Sequence, residues 1–190
     1  MNTIISQDYS SMVNYARCKV AGADVSRGKH QVPFGGKVNY DYMMWIDSDI
    51  SFTTDHFLKL LKMDKDIASG WYAQPGEVAS GGFYTPVVKT MDDDFFKNHG
   101  SYQFLTTDDM SKSTAPFTVD YIGFGWVLIK QGVFESISYP WFAPKLLKIG
   151  EDIEDVCSED VSFCLDVKNA GFKIWLDPAC RVGHEKVLTI

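Results

Sequence analysis

Residues 40–49, Tyr-Asp-Tyr-Met-Met-Trp-Ile-Asp-Ser-Asp, change from an apolar run to a pair of carboxylates. Apolar side chains occupy both faces in the second half of Tyr40–Ile46, which predicts a strand with helices packed on each side. Alternate residues of an extended chain point the same way, so Asp47 and Asp49 can address one common cation. The alternative is a solvated acidic turn that caps the next helix, and the tripeptide alone leaves both interpretations open.

On either side of this strand, apolar runs bounded by polar turns alternate with helix-like segments. This rhythm is typical of an α/β domain, and we predict a three-layer α-β-α sandwich with a mostly parallel mixed sheet. Helices are predicted at 10–23, from 53 or 54 onward and at 158–170, and strands at 3–6, 40–46, 66–72, 83–89, 117–129 and 172–176. The polar segment 90–116 offers little to bury, which predicts a flexible insertion or an acceptor-side lid.

Length and composition predict a single domain over residues 1–190. The chain of 190 residues is 45% hydrophobic and 23% charged, with 18 basic against 25 acidic residues and a net charge of −7. This balance disfavours a broad basic surface for nucleic acid, and no nucleic-acid motif is present. The sequence shows no apolar run of membrane-spanning length, no signal peptide and no pair of cysteines at CxxC spacing, so we expect a soluble cytoplasmic protein with reduced thiols.

A second acidic feature opens the helix predicted at 158–170. Ser158 is followed by Glu159 and Asp160, within a window where six of the residues 151–160 are acidic. Ser158 can cap the helix while the acids complement its positive end, which needs no catalysis. A carboxylate fixed at a helix start is also a well-placed ionised base. Taken singly, the capping interpretation is the stronger.

Several basic and polar side chains are candidates for binding an anionic ligand. His184 is a candidate metal ligand if it lies beside the two aspartates and supplies a nitrogen to the same ion. Lys186 lies two residues further on and can reach a phosphate. Asn14 and Arg17 share a helix face at i, i+3, so both can contact one polar ligand. For each of them an ordinary surface or core role is the alternative.

Aromatic residues near glycines form a last candidate group. Trp71, Tyr72 and Trp126 carry flat apolar rings with polar handles, which suit sugar faces and nucleobases. Gly123 and Gly125 predict a backbone that approaches a ligand closely, or else a bulge. Most buried aromatic side chains belong to a core, so two interpretations of this group remain: it lines a ligand pocket or it packs in the core.

The order of these features along the chain is more specific than any one of them. Between Ser10 and Lys186 the sequence resembles metal-dependent glycosyltransferases of the GT-A fold, in particular the family-2-like enzymes and their viral, phage or bacterial relatives. The resemblance rests on an Asn-x-x-Arg helix, a buried strand ending in Asp-x-Asp, a Gly-x-Gly strand, Ser-Glu-Asp at a helix start and a late histidine. It implies transfer of a sugar from a nucleotide diphosphate, a UDP- or GDP-sugar, to a hydroxyl acceptor.

The resemblance also implies a metal site and a base. Asp49 would be the principal ligand of Mn²⁺ or Mg²⁺, Asp47 would contact the metal or the donor ribose, and His184 would complete the ligands. Asp160 would be the general base of an inverting reaction. The remaining implied roles are donor binding by Asn14, Arg17, Asp47, Ser48 and Lys186, and an acceptor or sugar pocket lined by Trp71, Tyr72, Gly125, Trp126 and Glu159.

One departure from the family concerns the start of the chain. The strand, loop and helix that usually hold the nucleotide base would precede Thr3–Ser6, and we expect the sequence to begin after them. The missing strand would leave a sheet edge for a second copy or a partner chain to complete. Two alternatives therefore stay open: a sugar- or nucleotide-binding module without turnover, and a sugar-phosphate nucleotidyltransferase. The second is disfavoured because residues 3–9 carry no glycine and no basic residue.

Overall fold

The computed structural model describes residues 2–76 and 82–186, and within them helices and strands are interleaved. The helices of this part are α1 (Val13–Val20), α2 (Thr54–Met63), α3 (Asp93–His99), α4 (Thr107–Lys112) and α5 (Glu159–Asn169). The strands are β1 (Tyr42–Ile46), β2 (Ile50–Ser51), β3 (Ile67–Trp71), β4 (Tyr84–Val88), β5 (Phe104–Thr106), β6 (Phe117–Val119), β7 (Tyr121–Ile122), β8 (Trp126–Lys130), β9 (Lys145–Ile149), β10 (Ile153–Cys157), β11 (Ile174–Arg181) and β12 (Gly183–His184). The predicted α/β class is confirmed.

In the described part of the chain, the largest sheet has five strands in the order β1-β8-β3-β11-β6. Strand β8 runs antiparallel to both β1 and β3, and β6 runs antiparallel to β11, whereas β3 and β11 are parallel. The prediction of a mostly parallel sheet is therefore wrong. Because β8 separates β1 from β3, the strands β1, β3 and β11 still point the same way, and their carboxyl ends lie at one edge of the sheet.

Side-chain alternation along the strands divides the buried residues between the two faces of this sheet. On β8, Val127 and Ile129 belong to the larger core, together with residues of α1 and α5. Trp126 and Leu128 belong to a smaller core that packs against α2. The period of two is what a strand covered on both faces requires. The side chains of β8 are thus buried on both faces, whereas β1, predicted to be covered on both faces, has only Trp45 buried.

Two strand predictions differ from the structure, while the prediction that 90–116 is a flexible insertion or a lid stays a prediction. Residues 3–6, expected as a strand, are irregular. The segment 90–116 contains α3, β5 and α4, and Met110 of α4 is buried, so this polar stretch is anchored by more apolar contacts than its composition suggests. The single strand expected at 117–129 is divided into β6, β7 and β8, because residues 123–125 interrupt the extended chain.

Strand β1 lies at the outside of the sheet: among the described strands only β8 pairs with it. The other outer strand is β6, which pairs with β11, so the expected open edge has two candidates, and its completion by a second chain stays a prediction. The four cysteines are free and buried, which agrees with reduced core thiols. Of the helices that the structure describes, none combines the length and the apolarity that crossing a membrane requires.

Candidate functional site

The predicted functional residues meet where β1, β3 and β11 end. Asp47 and Asp49 follow β1, Tyr72 follows β3, and His184 lies just after β11. The start of α5, with Glu159 and Asp160, reaches the same edge from the larger core. Ligand sites of α/β sheets form at such carboxyl ends.

Asp47 is held by a buried arginine. Arg17 on α1 donates from Nη1 to Oδ1 of Asp47 at 3.1 Å and from Nη2 to Oδ2 at 3.3 Å. The Arg17 side chain is 8% exposed and that of Asp47 is 37% exposed. The amide of Asp47 donates to the carbonyl of Gly125, and its carbonyl accepts from the amide of Ile50, both at 3.1 Å. Asp47 therefore sits at the first position of a tight turn and faces inward, to Arg17.

The same guanidinium faces the two acids at the start of α5. Arg17 Nε lies 3.6 Å from Glu159 Oε1, and Nη2 lies 3.7 Å from Asp160 Oδ1. Ser158 caps the helix through its side chain, which accepts from the amide of Val161. The capping role is thus present, and it places Asp160 against Arg17.

Asp160 is buried in an uncommon setting for a carboxylate. Its Oδ2 accepts from the amide of Phe124 at 3.4 Å, while its Oδ1 is buried without a hydrogen-bond partner in the described part of the chain. Burial raises the pKa of Asp160 to about 7, against the opposing charge of Arg17 and with a further increase from Glu159 and Asp47. A carboxyl with a pKa near neutrality is suited to general-base chemistry.

Asp49 faces a different set of partners. Its Oδ2 lies 3.2 Å from Nε2 of His184 and 2.7 Å from Nζ of Lys186. Strand β12 pairs with β2, and the amide of Glu185 donates to the carbonyl of Asp49 at 2.8 Å, which fixes this segment beside the turn. Partial burial pushes the pKa of Asp49 up, but the Lys186 hydrogen bond and the charges of His184 and Lys186 outweigh it, so this pKa lies below its usual value.

His184 and Asp49 fit a divalent cation in part. His184 Nδ1 is 3.2 Å from the carbonyl of Ala73, which can only accept, so the proton belongs on Nδ1. Nε2 then points its lone pair at a carboxylate oxygen, and this arrangement needs a proton or a metal ion on that nitrogen. Adjacent ligands of an octahedral ion with bonds of about 2.1 Å lie about 3.0 Å apart, close to the observed separation.

The predicted three-residue metal site is divided in the structure. Asp47 is turned away to Arg17, and the described residues contain no group of three His, Cys, Asp or Glu side chains placed to hold a metal ion. Asp49 and His184 are brought together as predicted. A metal ion held by these two would take its other ligands from substrate and water, as Mg²⁺ commonly does.

Tyr72 lies between the cluster around Arg17 and the Asp49–His184 pair. Its ring centroid is 4.7 Å from that of His184, and burial together with the charges of Asp160 and Asp47 raises the pKa of its hydroxyl. A Cβ added to Gly125 would lie 2.7 Å from the Tyr72 ring. The glycine is thus explained by close packing of Tyr72, and the approaching group is a side chain of the protein.

Four predicted site residues do not join this cluster. Trp71 lies in the larger core and donates from Nε1 to the carbonyl of Pro178 at 2.8 Å. Trp126 is 1% exposed in the smaller core, so it lines no open pocket in this structure. Asn14 is half-buried on α1 and Ser48 is exposed in the turn, and neither side chain has a hydrogen bond to the cluster within the described residues.

Two residues have roles in the site that the sequence analysis did not assign to them. Phe124 supports the cluster twice, through its amide on Asp160 and through its ring, whose centroid is 5.1 Å from Cζ of Arg17. Arg181 stacks on the Trp71 ring and lines a cavity of about 290 Å³ beside His184. The available signals were the Gly-x-Gly setting of Phe124 and the position of Arg181 three residues before His184.

Comparisons with known proteins add little to this picture. No protein-family model matches the chain, and no curated protein is similar to it. Among solved structures, the chain is similar to A197 from STIV, with 16% identity, 80% of this chain and 70% of that chain covered, and a TM-score of 0.39. At this level of similarity, the site must be interpreted from its own residues.

Proposed function

We propose that the protein is a metal-dependent glycosyltransferase of the GT-A fold, which moves a sugar from a nucleotide diphosphate to a hydroxyl acceptor. The observation that carries the proposal is the meeting, at one sheet edge, of an Asp-x-Asp turn, an Asp49–His184 pair and a buried Asp160 with a raised pKa. These groups provide the two functions that the reaction needs: charge compensation for a leaving diphosphate and a base for a hydroxyl.

In an inverting reaction, Asp160 accepts the proton of the acceptor hydroxyl as its oxygen forms the new bond to the anomeric carbon. The bond from that carbon to the diphosphate oxygen breaks, and the diphosphate leaves with the electron pair. Phe124 fixes one oxygen of Asp160 through its amide. The other oxygen accepts no hydrogen bond from the described residues, so at least one of its two lone pairs is available to the acceptor once the buried site opens.

The outer half of the site, made by Asp49, His184 and Lys186, would bind the leaving group. Asp49 and His184 would hold Mn²⁺ or Mg²⁺, which when bound neutralises the diphosphate as a Lewis acid. Lys186 is half-exposed beside Asp49 and can pair with a phosphate oxygen. The cavity beside His184 is at the small end of ligand-site volumes, which begin at about 300 Å³, so it would take one part of a nucleotide sugar.

The small cavity favours a second candidate, a module of the same fold that binds a nucleotide or sugar without turnover. Its site would recognise the diphosphate through the same outer residues. Calorimetry separates the two functions, because a module shows metal-dependent binding of UDP or GDP with no release of product from nucleotide sugars.

The test of the enzyme is release of nucleoside diphosphate. We expect slow release from one member of a panel of UDP- and GDP-sugars in the presence of Mn²⁺, and loss of this release in Asp49→Ala. Asp55→Ala is the matched control, because Asp55 is an exposed acid of α2 paired with Lys59. Release that is unaffected by Asp49→Ala contradicts the proposal.

A further inference from the structure

The guanidinium of Arg17 is shared unequally between two carboxylates. Its Nη2 is 3.3 Å from Oδ2 of Asp47 and 3.7 Å from Oδ1 of Asp160. The first distance is a hydrogen bond and the second is not. One donor nitrogen therefore lies between two acceptors and is committed to Asp47.

The surroundings keep Arg17 between these acceptors. Its side chain is buried and lies over the ring of Phe124, which also holds Asp160 through its amide. The Nε of Arg17 and Oδ1 of Asp160 are both buried without hydrogen-bond partners in the described residues. A small rotation of the guanidinium would bring Nη2 within hydrogen-bond distance of Asp160 Oδ1 and lengthen its bond to Asp47 Oδ2.

We propose that Arg17 is a positioning residue that transmits the occupancy of Asp47 to Asp160, so that a donor bound at Asp47 turns the guanidinium toward the base. The link between the three side chains stands on their geometry, while its meaning rests on the proposed function. In that function it orders the reaction: the donor binds first, and Asp160 then becomes able to take the proton of the acceptor. Before the donor binds, the ionised form of Asp160 is less stable, so the buried site carries this charge less often.

The electrostatics of Asp160 agree with this role. The titratable or charged groups that face it are Arg17 of α1, Asp47 after β1, Tyr72 after β3, Tyr121 of β7, and Glu159 and Cys164 of α5. In this set Arg17 is the positive group. Burial raises the pKa of Asp160, Arg17 lowers it, and Asp47 raises it. Removing the charge of Asp47 therefore acts on Asp160 directly and also releases Arg17.

The experiment follows the titration of Asp160 without any need for catalysis. Protein labelled with ¹³C at aspartate carboxyl carbons is titrated by NMR, and the Asp160 signal is assigned from its loss in Asp160→Asn. We expect Asp47→Asn and Asp47→Ser to lower the Asp160 midpoint by about one pH unit. Asp49→Asn is the matched control, since it removes the same charge two residues away from a carboxylate that faces Lys186 and His184. This control should leave the midpoint unchanged.

Further variants test the part played by Arg17 itself. In an Arg17→Met background, the shift caused by Asp47→Asn should fall to less than half. In the wild-type chain, UDP with Mg²⁺ should lower the midpoint in the same direction as the Asp47 variants. An unchanged midpoint in both Asp47 variants, an equal shift in Asp49→Asn, or an undiminished Asp47→Asn shift in the Arg17→Met background overturns the link.

The outcome is separable from that of the proposed function. A midpoint shift that depends on Arg17, in a protein that releases no diphosphate from any nucleotide sugar, keeps the link and removes the enzyme. Diphosphate release with an unmoved midpoint keeps the enzyme and removes the link.

Discussion

Asp47 and Asp49 are two residues apart and each pairs with a basic side chain, yet Arg17 is buried and Lys186 is half-exposed. Asp47 pairs with Arg17, whose side chain is 8% exposed, inside a cluster that also contains Glu159 and Asp160. Asp49 pairs with Lys186, which is 46% exposed, and with His184. Water and salt can compete for the second pair but hardly for the first. The turn therefore joins an inner half, Asp47 with Arg17, whose ion pair is fixed, to an outer half, Asp49 with Lys186 and His184, in which another ion can replace Lys186.

This difference separates what each carboxylate can do. Breaking a buried pair leaves an uncompensated charge, whereas exposed pairs contribute little to stability. The inner half is suited to setting the position and charge of Asp160. The outer half is suited to exchanging Lys186 for a cation or a phosphate.

The largest effect is expected from Arg17→Met, which removes the shared positive charge and keeps the length of the side chain. It leaves three carboxylates near one another, and we expect the free energy of unfolding to fall by about 3 kcal/mol at pH 8. The loss should be smaller at pH 5, where Asp160 is protonated. Urea denaturation at the two pH values measures both quantities.

Lys186→Met is the control for Arg17→Met, because it removes the cation of the outer half. Its cost should be below about 1 kcal/mol. Equal losses in the two variants would remove the distinction between the halves.

A smaller effect is expected from Asp160→Asn. In the folded chain the pKa of Asp160 is raised from 3.8 to about 7 by burial. The folded state therefore binds more protons than the unfolded state between these values, and the free energy of unfolding falls as the pH rises through this window. Asparagine does not titrate, so this pH dependence disappears. Between pH 5 and pH 8 the free energy of unfolding of the variant should fall by about 2 kcal/mol less than that of the wild type.

Denaturant titrations at several pH values check the Asp160→Asn prediction. Asp55→Asn, a change at an exposed acid, should keep the wild-type dependence. If Asp160→Asn also keeps it, Asp160 is ionised throughout this range and its proposed proton chemistry loses support.

The local features of the site could be predicted from sequence because local patterns determine them. The apolar second half of residues 40–46 indicated a strand, and Ser158 indicated the start of α5 by capping. The pairing directions of β8 and β6 could not be predicted in this way. Strand direction in a sheet depends on which distant segments pack together, and β8 inserts between β1 and β3 through contacts far apart in sequence.

The division of the Asp-x-Asp motif has a more specific cause. The prediction of a common cation assumed an extended chain, in which Asp47 and Asp49 point to the same side. The structure has a turn at this place, with the amide of Ile50 bonded to the carbonyl of Asp47. A turn rotates one carboxylate away from the other, and single-residue patterns do not show which partner each will find. In the same way, the composition around Trp126 could not show which face of the sheet its side chain takes.

The smallest effect is expected where the outer half meets a metal ion. Lys186 donates to the Asp49 oxygen that would bind Mn²⁺, so the ammonium and the ion compete for one position. Replacing Lys186 by methionine should tighten Mn²⁺ binding about threefold, as an exposed pair worth under about 1 kcal/mol allows. Electron paramagnetic resonance of free Mn²⁺ measures this affinity. Lys59→Met, which removes a lysine paired with Asp55 on α2, should leave it unchanged, and tightening by both variants alike would mean that net charge, rather than competition at Asp49, sets the affinity.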